Sequence, residues 1–226
     1  MTLDNLKYKL EKKVNDLRQH GAGYVARKWL SDHIYMSDQV YILKRDLSLP
    51  LSGNGRRRRS AIEIRLVEGE QNLDHFMPYL KKSRPLVERL LKEGSVCVIA
   101  LVDNAAVAFL WFTTTRFYDC DLDYCYVCKP GEVYQGVFVH QDYRGSPILL
   151  EMFRVGWEHF HRLSYRWVVG SVNASNWRSM RVHQRLGFIE SGTVLHFTRL
   201  FSWRNSRVEE YCGQRLKSDE LASNAI

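Results

Sequence analysis

The chain has 226 residues, 45% of them hydrophobic and 12% aromatic, which is enough to build one sizeable core. None of its apolar runs approaches the roughly 18 residues that cross a membrane, and its polar first residues, Met1–Asn5, do not resemble a secretory signal, so we expect a cytosolic protein. The formal net charge of +8 favours an anionic partner, such as a nucleotide cofactor, an acidic carrier protein, nucleic acid or a membrane surface, without choosing among them.

Residues 1–60 are predicted to form an N-terminal extension. Apolar residues recur there at spacings of three and four between Lys and Arg, at Leu6, Leu10, Val14 and Leu17. This pattern predicts a basic amphipathic helix within residues 1–30, whose apolar stripe packs on the domain. A short strand is predicted at Val40–Leu43, and turn-forming residues followed by Arg56–Arg59 mark the boundary of the extension.

The main domain is predicted over residues 61–201, and a polar tail over 202–226. The predicted strands are 61–67, 96–102, 107–113, 132–140, 167–172 and 193–201. The predicted helices are 72–80, 85–92, 148–162 and about 177–186. Residues 116–130 are interpreted as an extended connection. This order of elements indicates a mixed sheet with helices on both faces, an α+β architecture.

The five cysteines, an odd number in a chain without a secretory signal, are expected to be reduced. Three of them cluster at Cys120, Cys125 and Cys128, but no second close pair completes the four ligands of a structural zinc site. We therefore interpret them as small hydrophobic side chains in a strand or loop, and expect no metal.

Two passages between residues 131 and 192 point to function. In residues 137–148 a strand runs into an Arg144-Gly145 turn that opens a helix, which places backbone N–H groups and a positive helix end where an anionic phosphate could bind. In residues 172–188 a strand end leads to an Asn/Ser cap, a helix and a stop at Gly187.

Together these passages resemble the GCN5-related N-acetyltransferase superfamily across residues 61–201. Val139-His140-Gln141-Asp142-Tyr143-Arg144-Gly145 is similar to the lead-in V-x-P-x-Y-R-G of that family. Residues 172–188 follow its pattern V-N-x-x-N-x-x-A/S-x-x-x-Y-x-x-x-G-F. The resemblance implies a mixed, mostly antiparallel sheet with helices on both faces, preceded here by the helical extension. It also implies acetyl-coenzyme A as co-substrate, with no metal.

The resemblance further implies which residues bind the coenzyme. The pyrophosphate would be held by the turn and the first turn of the helix, at Arg144, Gly145, Ser146, Ile148 and Leu149. The pantetheine arm would pair with the backbone of Phe138 and Val139 in a splay between two parallel strands, and Asn176 would contact the pantetheine or cap its helix. Pro147 and Leu149 depart from the glycine and small residue of the family. Proline lacks an N–H but is tolerated in the first turn of a helix. The consequence of these two departures is left open among weaker coenzyme binding, a different thioester donor and a degenerate site.

The catalytic residues are less determined. His183 stands where the family frequently has a tyrosine general acid; a histidine can donate a proton at neutral pH, or simply line a pocket wall. The base is Glu132 on the predicted strand or Asp142 beside the turn, acting directly or through water. Strand alternation places Glu132 and Phe138 on one face.

The resemblance implies acetyl transfer from acetyl-coenzyme A to a primary amine by direct attack, the acceptor being a small molecule or a protein amine. One alternative is long-chain acyl transfer from an acidic acyl carrier protein. Another is a non-catalytic binding module on the same scaffold. Nucleic-acid binding is not favoured, because the sequence shows neither a recognition helix nor a base-stacking motif. Residues 1–60 are left open as a cover for the acceptor site or as the arm of a homodimer.

Overall fold

The computed structural model describes residues 21–23, 34–51, 62–69, 75–76, 84–119, 122–201 and 203–216. The strands are β1 (Tyr35–Asp46), β2 (Ile62–Glu68), β3 (His75–Phe76), β4 (Val96–Val102), β5 (Ala105–Thr113), β6 (Arg116–Asp119), β7 (Tyr124–Val127), β8 (Glu132–Val139), β9 (Trp167–Asn173), β10 (Ile189–Leu200) and β11 (Trp203–Glu210). The helices are α1 (Arg84–Lys92), α2 (Ile148–Arg162) and α3 (Trp177–Arg185), with a 3-10 turn at Gln141–Tyr143.

Nine of these strands form one sheet in the order β11-β10-β1-β9-β8-β5-β4-β2, with β3 paired to β5. The β8–β9 and β3–β5 pairs are parallel and the others antiparallel, which confirms the predicted mixed, mostly antiparallel sheet. Strands β6 and β7 form a separate hairpin in the segment that was predicted as an extended connection.

The core is divided by the sheet into two layers. Helix α2 buries Met152, Phe153 and Trp157 on one face, and α1 buries Leu90 and Leu91 in the other layer. Helices therefore cover both faces, as predicted. Within the part of the chain that is described, no helix is long and apolar enough to span a membrane.

Strand β1 is an interior strand of the sheet, between β9 and β10. Its run Val40–Leu43 is buried on both faces, which fits four consecutive apolar residues. The strand predicted there is therefore present but longer, and it belongs to the same sheet as residues 62–200. The helix predicted within residues 1–30 and the Arg56–Arg59 loop lie outside the described residues, apart from 21–23, which are helical.

Two other predicted segments differ from the structure. Residues 202–226 were predicted as a polar tail, but β11 pairs with β10 from Thr193 to Leu200. Its polar sequence reflects its place at the sheet edge, where most of its side chains are exposed. Within the helix predicted at 72–80, His75–Phe76 form strand β3, and the rest lies outside the described residues.

Candidate active site

Strands β8 and β9 are neighbours in the sheet, but they are paired over only part of their length and then separate. They pair in parallel only over Glu132–Tyr134 and Trp167–Val169. Beyond this vertex, β8 continues against β5 and β9 continues against β1. The result is a V-shaped splay in the middle of the sheet, open towards the ends of both strands.

The backbone of β8 presents polar groups to this splay that pair with no neighbouring strand. The His140 N–H donates to the Val107 carbonyl on β5, at 2.7 Å. Because backbone groups alternate in direction along a strand, Phe138 also faces β5, whereas Val137 and Val139 face the splay. Of the two residues expected to pair with a pantetheine arm, Val139 is therefore oriented for it and Phe138 is not. Val137, which the sequence interpretation did not name, has the same backbone orientation as Val139.

One side-chain hydrogen bond lies beside the vertex of the splay on each face of the sheet. On one face the Tyr134 hydroxyl bonds to Ser171 Oγ at 2.8 Å. On the face that carries α2, Trp157 Nε1 donates to Gln135 Oε1 at 2.8 Å. The first bond joins the two strands where they separate, and the second joins α2 to β8.

The Arg144-Gly145 turn follows β8 and leads into α2. Gly145 has φ +78°, with open space around its α-carbon, so a glycine suits the turn. The N–H of Arg144 donates to Gln141 and that of Ser146 to Tyr143, both at 3.3 Å. Two of the amides expected to hold a pyrophosphate are thus used inside the turn.

The first turn of α2 provides the remaining donors. Ile148 and Leu149 are the first two residues of the helix. Their N–H groups have no intrahelical acceptor, because the residues four positions earlier lie outside the helix. Pro147 is the N-cap with helical φ −69°, and its missing N–H costs the helix nothing at this place. The Arg144 side chain folds back so that Nε lies 3.3 Å from the Val139 carbonyl, at the end of β8.

The loop between β9 and α3 is held by a residue that the sequence interpretation missed. Asp38 on β1 accepts hydrogen bonds from the Asn173 side chain at 3.0 Å and from the Ser175 hydroxyl. Asn176 caps α3 by accepting from the Ser179 N–H at 3.2 Å. The cap interpretation of Asn176 therefore matches the geometry, while Asp38 is too distant in sequence for any local pattern to indicate it.

His183 is buried on α3. Its Nδ1 lies 2.8 Å from the Ser179 carbonyl, and its ring packs 4.9 Å from the ring of Phe188. Burial lowers the pKa of His183. A neutral ring that donates from Nδ1 leaves Nε2 as an acceptor, so this arrangement suits a wall residue better than a proton donor.

The two candidate bases lie at opposite ends of β8. Glu132 Oε2 accepts from the Tyr126 hydroxyl at 2.8 Å and from the Lys129 N–H at 2.9 Å, close to the vertex. Asp142 lies beyond the other end, with Oδ2 3.5 Å from His140 Nδ1. Val139 lies seven residue steps along β8 from Glu132, about 23 Å, so of the two candidates only Glu132 is near the vertex.

Aromatic rings line the Glu132 face around the vertex. Ring centroids lie 4.3 Å apart for Trp111 and Phe117, 5.4 Å for Phe117 and Tyr134, and 4.9 Å for Tyr126 and Tyr134. Gly136 makes room for this packing, because a Cβ there would lie 2.3 Å from the Trp111 ring. Burial, and then the hydrogen bond to Glu132, raise the pKa of Tyr126.

The cysteine cluster gives no metal site in the described part of the chain. Cys125 and Cys128 are free thiols, and no group of three potential ligands occurs among the described residues. Cys120 lies outside those residues.

Neither protein-family models nor curated proteins give a match to this sequence. Solved structures do. A tandem GNAT protein from the clavulanic acid biosynthesis pathway is 13% identical, with a TM-score of 0.51, over 80% of this chain and 58% of that protein. An acetyltransferase from Colwellia psychrerythraea is 11% identical, with a TM-score of 0.46, over 79% and 62% of the two chains. An aminoglycoside N-acetyltransferase in complex with coenzyme A is 20% identical, with a TM-score of 0.42, over 63% and 98%.

The similarity to the tandem protein is structural, since so few residues are identical, and this chain spans little more than half of that protein's length. It covers 80% of this chain. The chain therefore has the fold of the GCN5-related N-acetyltransferase superfamily.

Proposed function

We propose that the protein is an N-acetyltransferase that moves an acetyl group from acetyl-coenzyme A to a primary amine by direct attack. The observation that carries this proposal is the splay between β8 and β9. It leaves the inward-facing N–H and C=O groups of Val137 and Val139 without a partner strand. An extended ligand arm that contains amide groups can pair with such an edge as an added strand.

Support for binding of the charged end of the coenzyme comes from the open end of the splay. The Gly145 turn and the N–H groups of Ile148 and Leu149 lie there, at the positive end of the fifteen-residue helix α2. Arg144 adds a cationic side chain. Pro147 takes one possible N–H donor from the phosphate, but it breaks no hydrogen bond within the helix, so the Ile148 and Leu149 donors keep their places.

The reaction needs little from the protein beyond position and electrostatics. The amine nitrogen attacks the thioester carbonyl, and the carbon–sulfur bond breaks. The amine nitrogen loses one proton and the leaving thiolate takes up one proton, so the reaction has no net change in protons. An N–H of β8 that faces the splay would stabilise the negative oxygen. Glu132 is the base that lies nearest the vertex, and its face would receive the amine.

A calorimetric titration with coenzyme A tests this proposal. We expect binding to the wild-type chain and about tenfold weaker binding to Arg144→Glu, because a charge reversal removes roughly 1.4 kcal/mol or more of attraction to a phosphate. Arg162→Glu is the matched control, because it makes the same charge change at the other, exposed end of α2. An absence of binding at about 1 mM coenzyme A would contradict the proposal.

A non-catalytic binding module is the second candidate. The burial of His183 favours it, because burial lowers the pKa of the ring and so disfavours the protonated form that could donate a proton at the position of the family's tyrosine. The two functions differ in turnover. Release of free thiol from acetyl-coenzyme A in the presence of a panel of small-molecule and peptide amines supports the transferase, whereas coenzyme binding with no amine-dependent release supports the module.

Long-chain transfer from a carrier protein has less support. It requires a deep apolar tunnel, and the described aromatic rings on the Glu132 face pack within 6 Å of one another. A comparison of acetyl and long-chain acyl donors in the same thiol-release assay separates the two donors.

A further inference from the structure

The hydrogen bond between Tyr134 and Ser171 lies at the vertex of the splay. Tyr134 is the last residue of β8 that pairs with β9, and Ser171 is two residues beyond its partner Val169. The bond joins the two strands just where they separate, with an oxygen–oxygen distance of 2.8 Å. It therefore lies beside the position that the end of an arm inserted in the splay would reach.

The environment of Tyr134 fixes its role as the donor. Its side chain is 4% exposed, and the rings of Trp111, Phe117 and Tyr126 surround it. Burial is the main cause of the raised pKa of the Tyr134 hydroxyl, so the group keeps its proton at neutral pH. Its single proton is available to Ser171 Oγ.

Ser171 differs from Tyr134 in its exposure. It is half-buried, and it faces the same side of the sheet as Val169 and Tyr134. A serine hydroxyl can accept one hydrogen bond while it donates another. With Tyr134 as donor to its oxygen, Ser171 can direct its own hydrogen away from Tyr134 and towards a ligand in the splay.

We propose that the Ser171 hydroxyl donates a hydrogen bond to the sulfur of bound coenzyme A, and that Tyr134 positions that hydroxyl. The inference rests on the proposed function, because it needs the coenzyme in the splay. During transfer the carbon–sulfur bond breaks and its electron pair goes to sulfur. The hydrogen bond from Ser171 stabilises this thiolate until it takes a proton from water, while the amine releases one proton to the proposed base Glu132, which returns it to water.

The ionisation of the bound thiol tests this without any knowledge of the acceptor amine. The ultraviolet absorbance of the thiolate is followed against pH for coenzyme A bound to the wild type, Ser171→Ala, Ser171→Thr and Tyr134→Phe. The same titration with desulfo-coenzyme A is subtracted, to remove signals from the protein and the adenine. Ser48→Ala is the control for loss of a serine hydroxyl, at a turn after β1.

A donor to the thiolate lowers the pKa of the thiol below its ordinary value of about 8.5. We expect the pKa of the bound thiol to be lowered by about one pH unit in the wild type and in Ser48→Ala. In Ser171→Ala this lowering should be lost. Ser171→Thr keeps the hydroxyl and should retain it, whereas Tyr134→Phe keeps the packing but loosens Ser171 and should fall between. Coenzyme A affinity within about twofold of wild type shows that each variant is folded.

Two results would overturn the inference in different ways. Coenzyme A that binds with the same thiol pKa in the wild type and Ser171→Ala refutes the role of Ser171 alone and leaves the proposed function standing. Failure of the wild type to bind coenzyme A refutes the proposed function, and the inference with it.

Discussion

Removal of the Arg45 side chain should destabilise the protein strongly, and more than removal of the nearby exposed Arg166 side chain. The guanidinium is 2% exposed and lies over the Trp157 ring, 4.5 Å from its centre. It donates to the carbonyls of Leu186 at 2.6 Å, Leu49 at 2.6 Å and Asp46 at 2.9 Å. One side chain thus joins β1 and the segment after it to the end of α3.

The expected cost of Arg45→Ala is about 3–5 kcal/mol, because it leaves several carbonyl groups without a donor and a cavity against Trp157. Charge itself is a small part of this figure. Arg166 lies next to the same segment, with Nε 3.6 Å from Asp46 Oδ2, but its side chain is 71% exposed. Removal of this exposed side chain should cost less than about 0.5 kcal/mol.

Urea unfolding of Arg45→Ala, Arg166→Ala and the wild type, with equal slopes, measures both free energies of unfolding. The comparison to make is between the losses in free energy of unfolding of Arg45→Ala and of Arg166→Ala. A loss below about 1 kcal/mol for Arg45→Ala, or equal losses for both variants, would refute the view that buried hydrogen bonds make Arg45 a structural residue.

Three further predictions concern the neighbourhood of the splay. Gly136→Ala should destabilise by about 1–3 kcal/mol, because the added Cβ overlaps the Trp111 ring; an unchanged thermal midpoint would contradict this packing. Burial lowers the pKa of His183, so the unfolded chain binds this proton at a higher pH than the folded chain does, and the free energy of unfolding falls as the pH drops below about 6.5. In His183→Gln the urea midpoint should fall less over this pH range. The same fall in the variant and the wild type would refute the prediction. Asp38→Ala frees the Ser175 loop and should cost about 1–2 kcal/mol in urea unfolding, with Asp38→Asn losing less; equal losses would show that the acceptor oxygens are not the cause.

Local patterns predicted the elements of the main domain well. Helix α2 carries a clear apolar face, and it spans Ile148–Arg162 as predicted. The strand predicted at 96–102 is likewise β4. Such elements follow from residues that are neighbours in sequence, so periodicity and turn residues suffice to place them.

The positions of β1 and β11 in the sheet could not be predicted in this way. Val40–Leu43 is recognisable as a strand, but its pairing with Asn173–Gly170 joins residues about 130 positions apart. Strand β11 is polar because it lies at the sheet edge, so its composition resembles that of a tail. In both cases the partner, rather than the segment, determines the structure.

The site shows the same limit at the level of single groups. The motifs placed the Gly145 turn and the Asn176 cap, because both depend on a few adjacent residues. They could not show that Val137 rather than Phe138 faces the splay, which depends on the register of β8 against β5. Nor could they show the bond between Tyr134 and Ser171, which exists because two strands pair and then separate.

A crystal structure of the complex with coenzyme A is the most direct test of the account. We predict the pantetheine arm between β8 and β9, its amides paired with the splay-facing groups of Val137 and Val139, its pyrophosphate at the Gly145 turn, and its sulfur beside Ser171. Coenzyme A bound elsewhere, or β8 and β9 closed against each other with no ligand between them, would contradict it.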